Sequence, residues 1–363
     1  MARTKKIKIG NYIPRGYELG DDFMKNLKSY QYIIKYANNP KNGLDIQLRG
    51  KYINIYYAGG NLLKLSGTNT CEFDENYFYL PTSNDLCMTD IERLCSEDYI
   101  NKIEKSKALK TLKLLGEAAL KKKRELAIQI KRKLKKDRDN IIKKLSTCSS
   151  YEETSQVLEE MKSIMTNWKK KNGKKQEIGE RLVQHYLSLN NKEFDADTDF
   201  VVLDIEYAIS SNARYAKEEK REQQPRMDII AIEKDTGQLY VMELKYGLDA
   251  ADGDAGIKDH YDDYLATVGA DEKWHYFWDD IEVLLKAKND FIYENNKNDI
   301  TLKKSKPYFA FILKEKKDGD EAAFKQKLID NELSFVPTIY LPKESDYNNP
   351  SVIGHKLSKR YIK

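Results

Sequence analysis

Three charged residues interrupt an otherwise apolar stretch, and their types and spacing suit them to chemistry. The stretch runs from Arg226 to Tyr246 and consists of two apolar runs joined by Lys-Asp-Thr-Gly. Asp228 lies at the head of the first run, and Glu243 and Lys245 lie near the end of the second. Because side chains alternate along a strand, Glu243 and Lys245 share one face. Burying such charges costs free energy unless they are paired or bind a ligand, so we expect a site here.

The chemistry that fits these residue types is hydrolysis of a phosphodiester bond at a hard metal ion. Mg²⁺ takes oxygen ligands and keeps several waters, so the predicted metal ligands are the carboxylates of Asp228 and Glu243, with Mg²⁺ or Mn²⁺ as the cofactor. The carbonyl oxygen of Leu244 is a further candidate ligand. A bound metal polarises the phosphate and activates water, and a nearby lysine such as Lys245 orients that water or offsets the developing charge.

A hairpin and an upstream helix must position these groups. The Asp-Thr-Gly turn between two β-branched and aromatic runs predicts a β-hairpin over Arg226–Tyr246, which brings its two acidic residues to one edge. The apolar pattern of residues 177–187 predicts an amphipathic helix. Glu180 on this helix completes the carboxylate set if the helix packs across the sheet, and Glu177 is the alternative. Glu180 taken alone is equally typical of a solvated helix surface.

Three regions follow from the patterns along the 363-residue chain. Residues 1–95 predict a small α+β module, with a helix over residues 21–37 and a short, half-buried antiparallel meander. Residues 96–172 predict a basic helical arm or linker. Residues 173–363 alternate helices and strands, which predicts an α/β domain with a mixed sheet. Beyond the hairpin, its predicted strands are 200–208, 307–313 and 336–341, and its predicted later helices are 256–267, 279–287 and 321–330.

The helical arm concentrates positive charge. Twelve Lys or Arg residues lie between Lys121 and Lys144, against Glu125, Asp137 and Asp139. One interpretation is a helix that lies along nucleic-acid phosphates and releases their counterions. The other is a solvated face, or one that packs on an acidic partner. The arm is also a candidate surface for homo-oligomer formation.

The composition disfavours several classes of protein. One third of the residues are charged, and no apolar run is long enough to cross a bilayer, so we expect no membrane partner. The N-terminus lacks the apolar core of a secretion signal. The four cysteines show no CxxC spacing, which indicates reduced thiols rather than a zinc site. A cytoplasmic protein is therefore predicted.

Other acidic and histidine residues predict ordinary structural roles. Asp204 and Glu206 share one face of the predicted strand before the hairpin, where edge charges are favoured over a metal role. His185 is expected to pack or to lie at the surface. The acidic run of residues 249–254 lacks the ligand series of a calcium loop, so a solvated loop beside the site is expected.

The whole constellation resembles the PD-(D/E)xK nuclease superfamily, which has the restriction-endonuclease-like fold. The resemblance covers roughly residues 176–313 and depends on Asp228, on Glu243-Leu244-Lys245 closing an apolar strand, and on helices before and after the hairpin. It implies a Mg²⁺-dependent phosphodiesterase core of αβββαβ type. On the family pattern, Asp228 and Glu243 bind metal, Lys245 assists the nucleophile and Glu180 is the helix carboxylate.

Two features depart from the family pattern. Pro225 lies three residues before Asp228 instead of next to it, and the following helix offers Lys258 and His260 where many members place Gln or Lys. The leading hypothesis is a metal-dependent nuclease acting on DNA, in restriction, phage defence or repair. The alternative is a catalytically inactive protein of nuclease fold that binds nucleic acid or serves as an interaction scaffold.

Overall fold

A computed structural model describes most of the chain. The described residues are 27–50, 52–67, 70–80, 88–96, 116–171, 179–191, 198–208, 226–248, 251, 256–271, 273–292, 300–341, 343 and 355–362. They contain eight α-helices and two β-sheets, one of them mixed, which confirms the predicted α/β class. Among these helices, none combines the length and apolar character that crossing a membrane requires.

The chain divides into two compact units. The first unit comprises residues 1–70 together with residues 178–363, and the second unit comprises residues 71–177. The sequence instead suggested a separate module of residues 1–95. The grouping has a physical basis in buried contacts: the Gln47 side chain donates to Ser188 Oγ at 3.0 Å, and Arg49 forms a buried ion pair with Asp204.

The N-terminal part of the first unit is a helix followed by an antiparallel meander. Its elements are α1 (Gln31–Asn38), β1 (Leu44–Leu48), β2 (Tyr52–Tyr57) and β3 (Gly60–Ser66). The meander confirms the sequence pattern, but β1 is buried at every position, so the expectation of a half-buried strand was wrong there. Its polar residues tolerate burial because they are hydrogen-bonded: Gln47 Nε2 donates to Asp45 Oδ2 at 2.7 Å.

The remainder of the first unit is built on a five-stranded mixed sheet. In chain order its elements are α5 (Glu180–Asn190), β5 (Phe200–Ala208), β6 (Arg226–Glu233), β7 (Leu239–Tyr246), α6 (Ile257–Ala266), α7 (Trp274–Phe291), β8 (Tyr308–Lys314), α8 (Asp320–Asp330) and β9 (Thr338–Leu341). Strands β5, β6 and β7 run antiparallel, and β7, β8 and β9 run parallel. The predicted hairpin is confirmed, since Ile229 pairs with Met242 and Ile232 with Leu239.

One face of this sheet packs against α5. Leu182, Val183 and Leu187 of α5 join Met242 and Leu244 of β7 in one buried cluster. Burying an aliphatic side chain of this size is worth about 1.5–3 kcal/mol, so these contacts fix α5 against the sheet. Because side chains alternate along a strand, the charged residues of β7 lie on the opposite face.

The second unit is mainly helical. It contains β4 (Cys71–Glu72), α2 (Met88–Cys95), α3 (Gly116–Ser146) and α4 (Tyr151–Lys171). The predicted helical region from residue 97 to residue 170 is therefore two helices in its described part, and residues 97–115 lie outside the described residues. An apolar stripe of α3 at seven-residue spacing, Ala127, Leu134 and Ile141, is buried, as a helix packed along one side requires.

Candidate active site

The hairpin places the two strand carboxylates opposite each other. The β6–β7 register ends with Ile229 paired to Met242, and one further step along each strand leads to Asp228 and Glu243. At this step the amide of Leu244 donates to Asp228 Oδ2 at 2.9 Å. Asp228 keeps part of its accessible surface, whereas Glu243 is 2% exposed. Both carboxyl groups are thus largely removed from solvent, Glu243 more completely than Asp228.

Two nitrogen atoms approach the same oxygen of Glu243. Lys245 Nζ and His260 Nε2 each lie 2.9 Å from Glu243 Oε1. The other oxygen, Oε2, is buried and has no hydrogen-bond donor within the described part of the chain. The Asp228 carboxyl is within hydrogen-bonding reach of Glu243. Two carboxyl groups within hydrogen-bonding reach of each other favour a shared proton or a bound cation over two unprotonated, negatively charged groups.

Helix α5 brings two more polar side chains to the same region. Glu180 lies in its first turn and Gln184 lies four residues later, so both lie on one side of the helix. Gln184 Nε2 donates to the backbone carbonyl oxygen of Asp228 at 2.6 Å, which fixes the start of β6 against α5. The charge of Glu180 acts on both Asp228 and Glu243. Helix α5 therefore supplies both a positioning contact and a third carboxylate.

The environment favours the protonated forms of the strand carboxylates. Burial raises the pKa of Asp228 well above its usual value, and the charges of Glu243 and Glu180 raise it further. Burial also raises the pKa of Glu243 to about 7, against an opposing effect of Lys245. Burial is the largest cause of both shifts, and repulsion from the other carboxylates adds to it, so either group loses its proton more readily when a cation lies beside it.

The two basic side chains of the site shift in opposite directions. Burial acts to lower the pKa of Lys245, but the neighbouring carboxylates, Glu243 first among them, outweigh it and raise the pKa. Burial and the Lys245 charge lower the pKa of His260. At neutral pH, Lys245 is therefore the cation of the site and His260 is a neutral imidazole.

The donor set suits a hard cation that keeps part of its water shell. Among the described residues, no group of three or more His, Cys, Asp or Glu side chains is arranged to hold a metal ion. Mg²⁺ often binds through one or two carboxylates, with waters completing its coordination. The oxygen donors and the unpartnered Oε2 of Glu243 fit such an ion, whose charge would favour the ionised forms of both carboxyl groups. Asp228 and Glu243 are the residues that would hold it, and the roles of Glu180 and the Leu244 carbonyl stay predictions.

The structure brings together four of the predicted site residues and separates others from them. Asp228, Glu243 and Lys245 form one cluster with Glu180 beside it. Of the two candidates on the following helix, His260 reaches Glu243, whereas Lys258 pairs with Asp262 at 2.8 Å on the surface. Residue Glu177, and nearly all of the acidic run of residues 249–254, lie outside the described residues.

One prediction about charged residues outside the site was wrong. Asp204 is 0% exposed and pairs with Arg49, so it is not an edge charge. The reason is that Arg49, the residue directly after β1, supplies a cation to β5, which the local sequence around Asp204 does not reveal. His185 is buried, as one of its two predicted roles required.

Gln184 is a site contact that the sequence prediction missed. The available signal was a polar residue one helical turn after Glu180, on a side of the helix that otherwise packs.

No protein-family model, curated protein or solved structure matches this chain.

Proposed function

We propose that this protein is a metal-dependent nuclease that hydrolyses phosphodiester bonds of DNA at the cluster of Asp228, Glu243, Lys245 and Glu180. The observation that supports the proposal is the excess of carboxyl groups over cations: the charges of Asp228, Glu243 and Glu180 all act on Lys245, and the buried Oε2 of Glu243 accepts no hydrogen bond within the described residues. A cation and a phosphate together would neutralise this arrangement.

The order of elements supports the same proposal. Helix α5, strands β5 to β7, helices α6 and α7 and strand β8 follow one another, which corresponds to the αβββαβ order that the resemblance to PD-(D/E)xK nucleases implies, with α7 as one additional helix before β8. We therefore propose a restriction-endonuclease-like core within residues 179–314. The resemblance also supports Mg²⁺ or Mn²⁺ as the cofactor and DNA as the substrate.

The proposed roles follow from the charge states. Mg²⁺ or Mn²⁺ held by Asp228 and Glu243 would polarise the scissile phosphate and lower the pKa of water. Lys245 keeps its proton because its pKa is raised, so its ammonium group offsets negative charge on the phosphate instead of accepting a proton. His260 holds the Glu243 carboxylate through Nε2. Its neutral ring then has an unprotonated Nδ1, which can accept a proton.

One observation favours the alternative, a catalytically inactive protein of nuclease fold. Lys245 and His260 both lie on Glu243 Oε1, and no three acidic or histidine side chains converge within the described residues. Such an arrangement also suits a site that has lost its metal and kept an internal ion pair. A cleavage assay separates the two functions.

The test is cleavage by purified full-length protein in Mg²⁺, in Mn²⁺ and in EDTA. Supercoiled plasmid, single-stranded DNA and RNA serve as substrates. We expect DNA cleavage only with metal, no detectable cleavage by Asp228→Asn, and a rate about 10²–10³-fold lower for Lys245→Ala, because charge stabilisation of the transition state is lost.

Matched controls lie on α6. Lys258→Ala and Asp262→Asn remove the same kinds of charge from an exposed ion pair and should leave the rate within about twofold, since exposed pairs contribute little. No cleavage of any substrate with either metal would establish the inactive alternative. Cleavage that survives both Asp228→Asn and Lys245→Ala would place the activity elsewhere.

A further inference from the structure

Helix α3 of the second unit presents an exposed surface of positive charge that is largely unpaired. In the described part of the chain, only Arg138 and Lys144 among its basic side chains form ion pairs, with Glu75 and Asp139 and with Glu160, respectively. Nine further basic residues of α3 are exposed and form no such pair there: Lys121, Lys122, Lys123, Lys131, Arg132, Lys133, Lys135, Lys136 and Lys143. Like charges at this density repel one another, so the surface favours a polyanion.

The charges lie on three sides of the helix. Successive residues rotate by about 100° around an α-helix. Arg132 and Lys136 therefore lie on the crest, opposite the buried Leu134 stripe, while Lys131 and Lys133 lie on opposite flanks. All four basic residues are exposed. A flat anionic surface would meet the crest alone, whereas a groove with anionic walls would meet the crest and both flanks.

The same helix offers little for other kinds of ligand. Its apolar stripe is already covered, because Ala127 and Leu134 pack with Tyr79, Ile91 and Leu94 of the second unit. No Phe, Tyr or Trp occurs from residue 116 to residue 146. Single strands are held mainly by stacking bases on aromatic rings, and membrane-surface helices insert aromatic and apolar residues. The exposed side of α3 has no aromatic ring, and Leu126 is its one large apolar side chain that is exposed among the described residues, which is too little for either kind of contact.

We propose that α3 binds double-stranded DNA through its phosphates, with Lys131, Arg132, Lys133, Lys135 and Lys136 set into the major groove. An α-helix with side chains is about 10–12 Å wide, and the major groove of B-form DNA is about 12 Å wide with a phosphate backbone on each side. The flanking lysines meet these two walls. The narrow major groove of double-stranded RNA does not admit side chains.

This inference deepens the proposed nuclease function and rests on it for the choice of DNA as the polyanion. Contacts to phosphates carry no sequence information, so the surface predicts binding without sequence preference. It assigns substrate capture to the second unit and bond cleavage to the first. The two activities can therefore be measured separately.

The test is equilibrium binding of the full-length protein in EDTA, where no metal supports cleavage. Fluorescence anisotropy of a labelled 20-base-pair duplex at several NaCl concentrations gives the affinity and its salt slope. We compare the wild type with a variant that carries Lys131→Gln, Arg132→Gln, Lys135→Gln and Lys136→Gln. Each lost phosphate contact reduces the slope by about 0.9, so we expect a slope smaller by about 3–4 and an affinity about 10²–10³-fold lower at 0.1 M salt.

A control variant separates the surface from net charge. Lys286→Gln, Lys303→Gln, Lys317→Gln and Lys325→Gln remove four exposed charges from the first unit and should change the slope by less than about 1. Circular dichroism of both variants checks that their helices are intact. Equal losses in the two variants, or an unchanged slope in the α3 variant, would overturn the inference.

Other polyanions complete the test. We expect weaker binding to single-stranded DNA, to double-stranded RNA and to phosphatidylserine vesicles, and tighter binding to any of them would overturn the inference. Duplex binding with no cleavage in Mg²⁺ would count against the proposed nuclease alone. Cleavage together with duplex affinity that the α3 variant leaves unchanged would count against this inference alone.

Discussion

Two buried ion pairs in the first unit differ in how completely their charges are matched. Arg49 and Asp204 balance one cation against one anion, and the guanidinium group also donates to the carbonyl oxygen of Ile205 at 2.7 Å. Asp204 accepts a further hydrogen bond from the Ile205 amide at 2.8 Å. Glu243 and Lys245 instead lie beside two further carboxylates, and Glu243 keeps an unpartnered oxygen.

This difference separates a structural ion pair from a candidate functional one. The Arg49–Asp204 pair is balanced and its hydrogen bonds are satisfied, so a ligand would not stabilise it further. Its role is structural: it holds the chain directly after β1 against β5. An unbalanced cluster has a free-energy cost that a proton or a cation can lower. Burial alone does not distinguish the two pairs, since all four side chains are buried.

The largest expected effect comes from breaking the balanced pair. Arg49→Met leaves Asp204 buried without its cation, which should lower the free energy of unfolding by about 3–5 kcal/mol. Lys245→Met should cost less than half as much, because Glu243 has a pKa of about 7 and can take up a proton instead. Urea unfolding in EDTA at pH 7 measures both changes.

A double variant tests the reason for that loss. Adding Asp204→Asn to Arg49→Met removes the uncompensated charge and retains the acceptor for the Ile205 amide. We expect it to recover most of the lost stability. Equal losses for Arg49→Met and Lys245→Met would contradict the distinction between the two pairs.

The next effect is a pH dependence that only the unbalanced cluster should produce. The folded pKa of Glu243 is raised from 4.5 to about 7, so the unfolded state loses its proton first. Its contribution to stability is fully present below pH 4.5 and is lost as the pH rises to about 7. The expected loss is on the order of 1–3 kcal/mol.

The pH effect is measured on metal-free protein. Free energies of unfolding of the wild type at a series of pH values between 4 and 8 should fall over this window, and those of Glu243→Gln should fall less. The Asp262→Asn variant, in the exposed pair with Lys258, should keep the wild-type slope. Identical slopes for the wild type and Glu243→Gln would show that Glu243 is not the titrating group.

The smallest expected effect concerns helix α5, which contacts both the candidate site and strand β1. It carries Glu180 to the site and bonds Gln47 through Ser188. The β2–β3 turn presses against its start, because a Cβ on Gly59 would lie 3.1 Å from the Cα of Leu182. Gly59→Ala should cost about 2 kcal/mol, of which about 1 kcal/mol reflects the positive φ that disfavours alanine.

Gly43 provides the matched control for this prediction. It also has a positive φ, of 64°, but a Cβ there would meet nothing within 4 Å. Gly43→Ala should therefore cost only the conformational share, about 1 kcal/mol. Thermal unfolding of both variants gives the difference, and equal melting temperatures would mean that the turn does not support α5.

Much of the fold was predictable from local patterns in the sequence. The hairpin was predictable because the Asp-Thr-Gly turn and two apolar runs lie within 21 consecutive residues, Arg226–Tyr246. Within it, alternation placed Glu243 and Lys245 on one face, and the structure places them 2.9 Å apart. The helix and strand order after residue 179 followed from the same short-range periodicity.

Contacts between distant residues were not predictable in the same way. Arg49 and Asp204 are 155 residues apart, and no local pattern links a basic residue after β1 to an acidic residue in β5. The sequence could not show which of His260 and Lys258 joins the site, because both residues lie near one end of the same helix. The answer depends on how α6 packs on the sheet. Gln184 was missed because its partner is a backbone carbonyl, which has no sequence signature.

The insertion of residues 71–177 between the two parts of the first unit has a consequence for synthesis. Arg49 is translated 155 residues before Asp204, which at ribosomal rates corresponds to about 8–30 s. During that interval β1 has neither its ion-pair partner nor Ser188, whereas the helices of the second unit depend on nearer contacts, which form faster. The nascent chain therefore presents Gln47 and Arg49 without their buried partners for many seconds, a period in which a chaperone is expected to matter most.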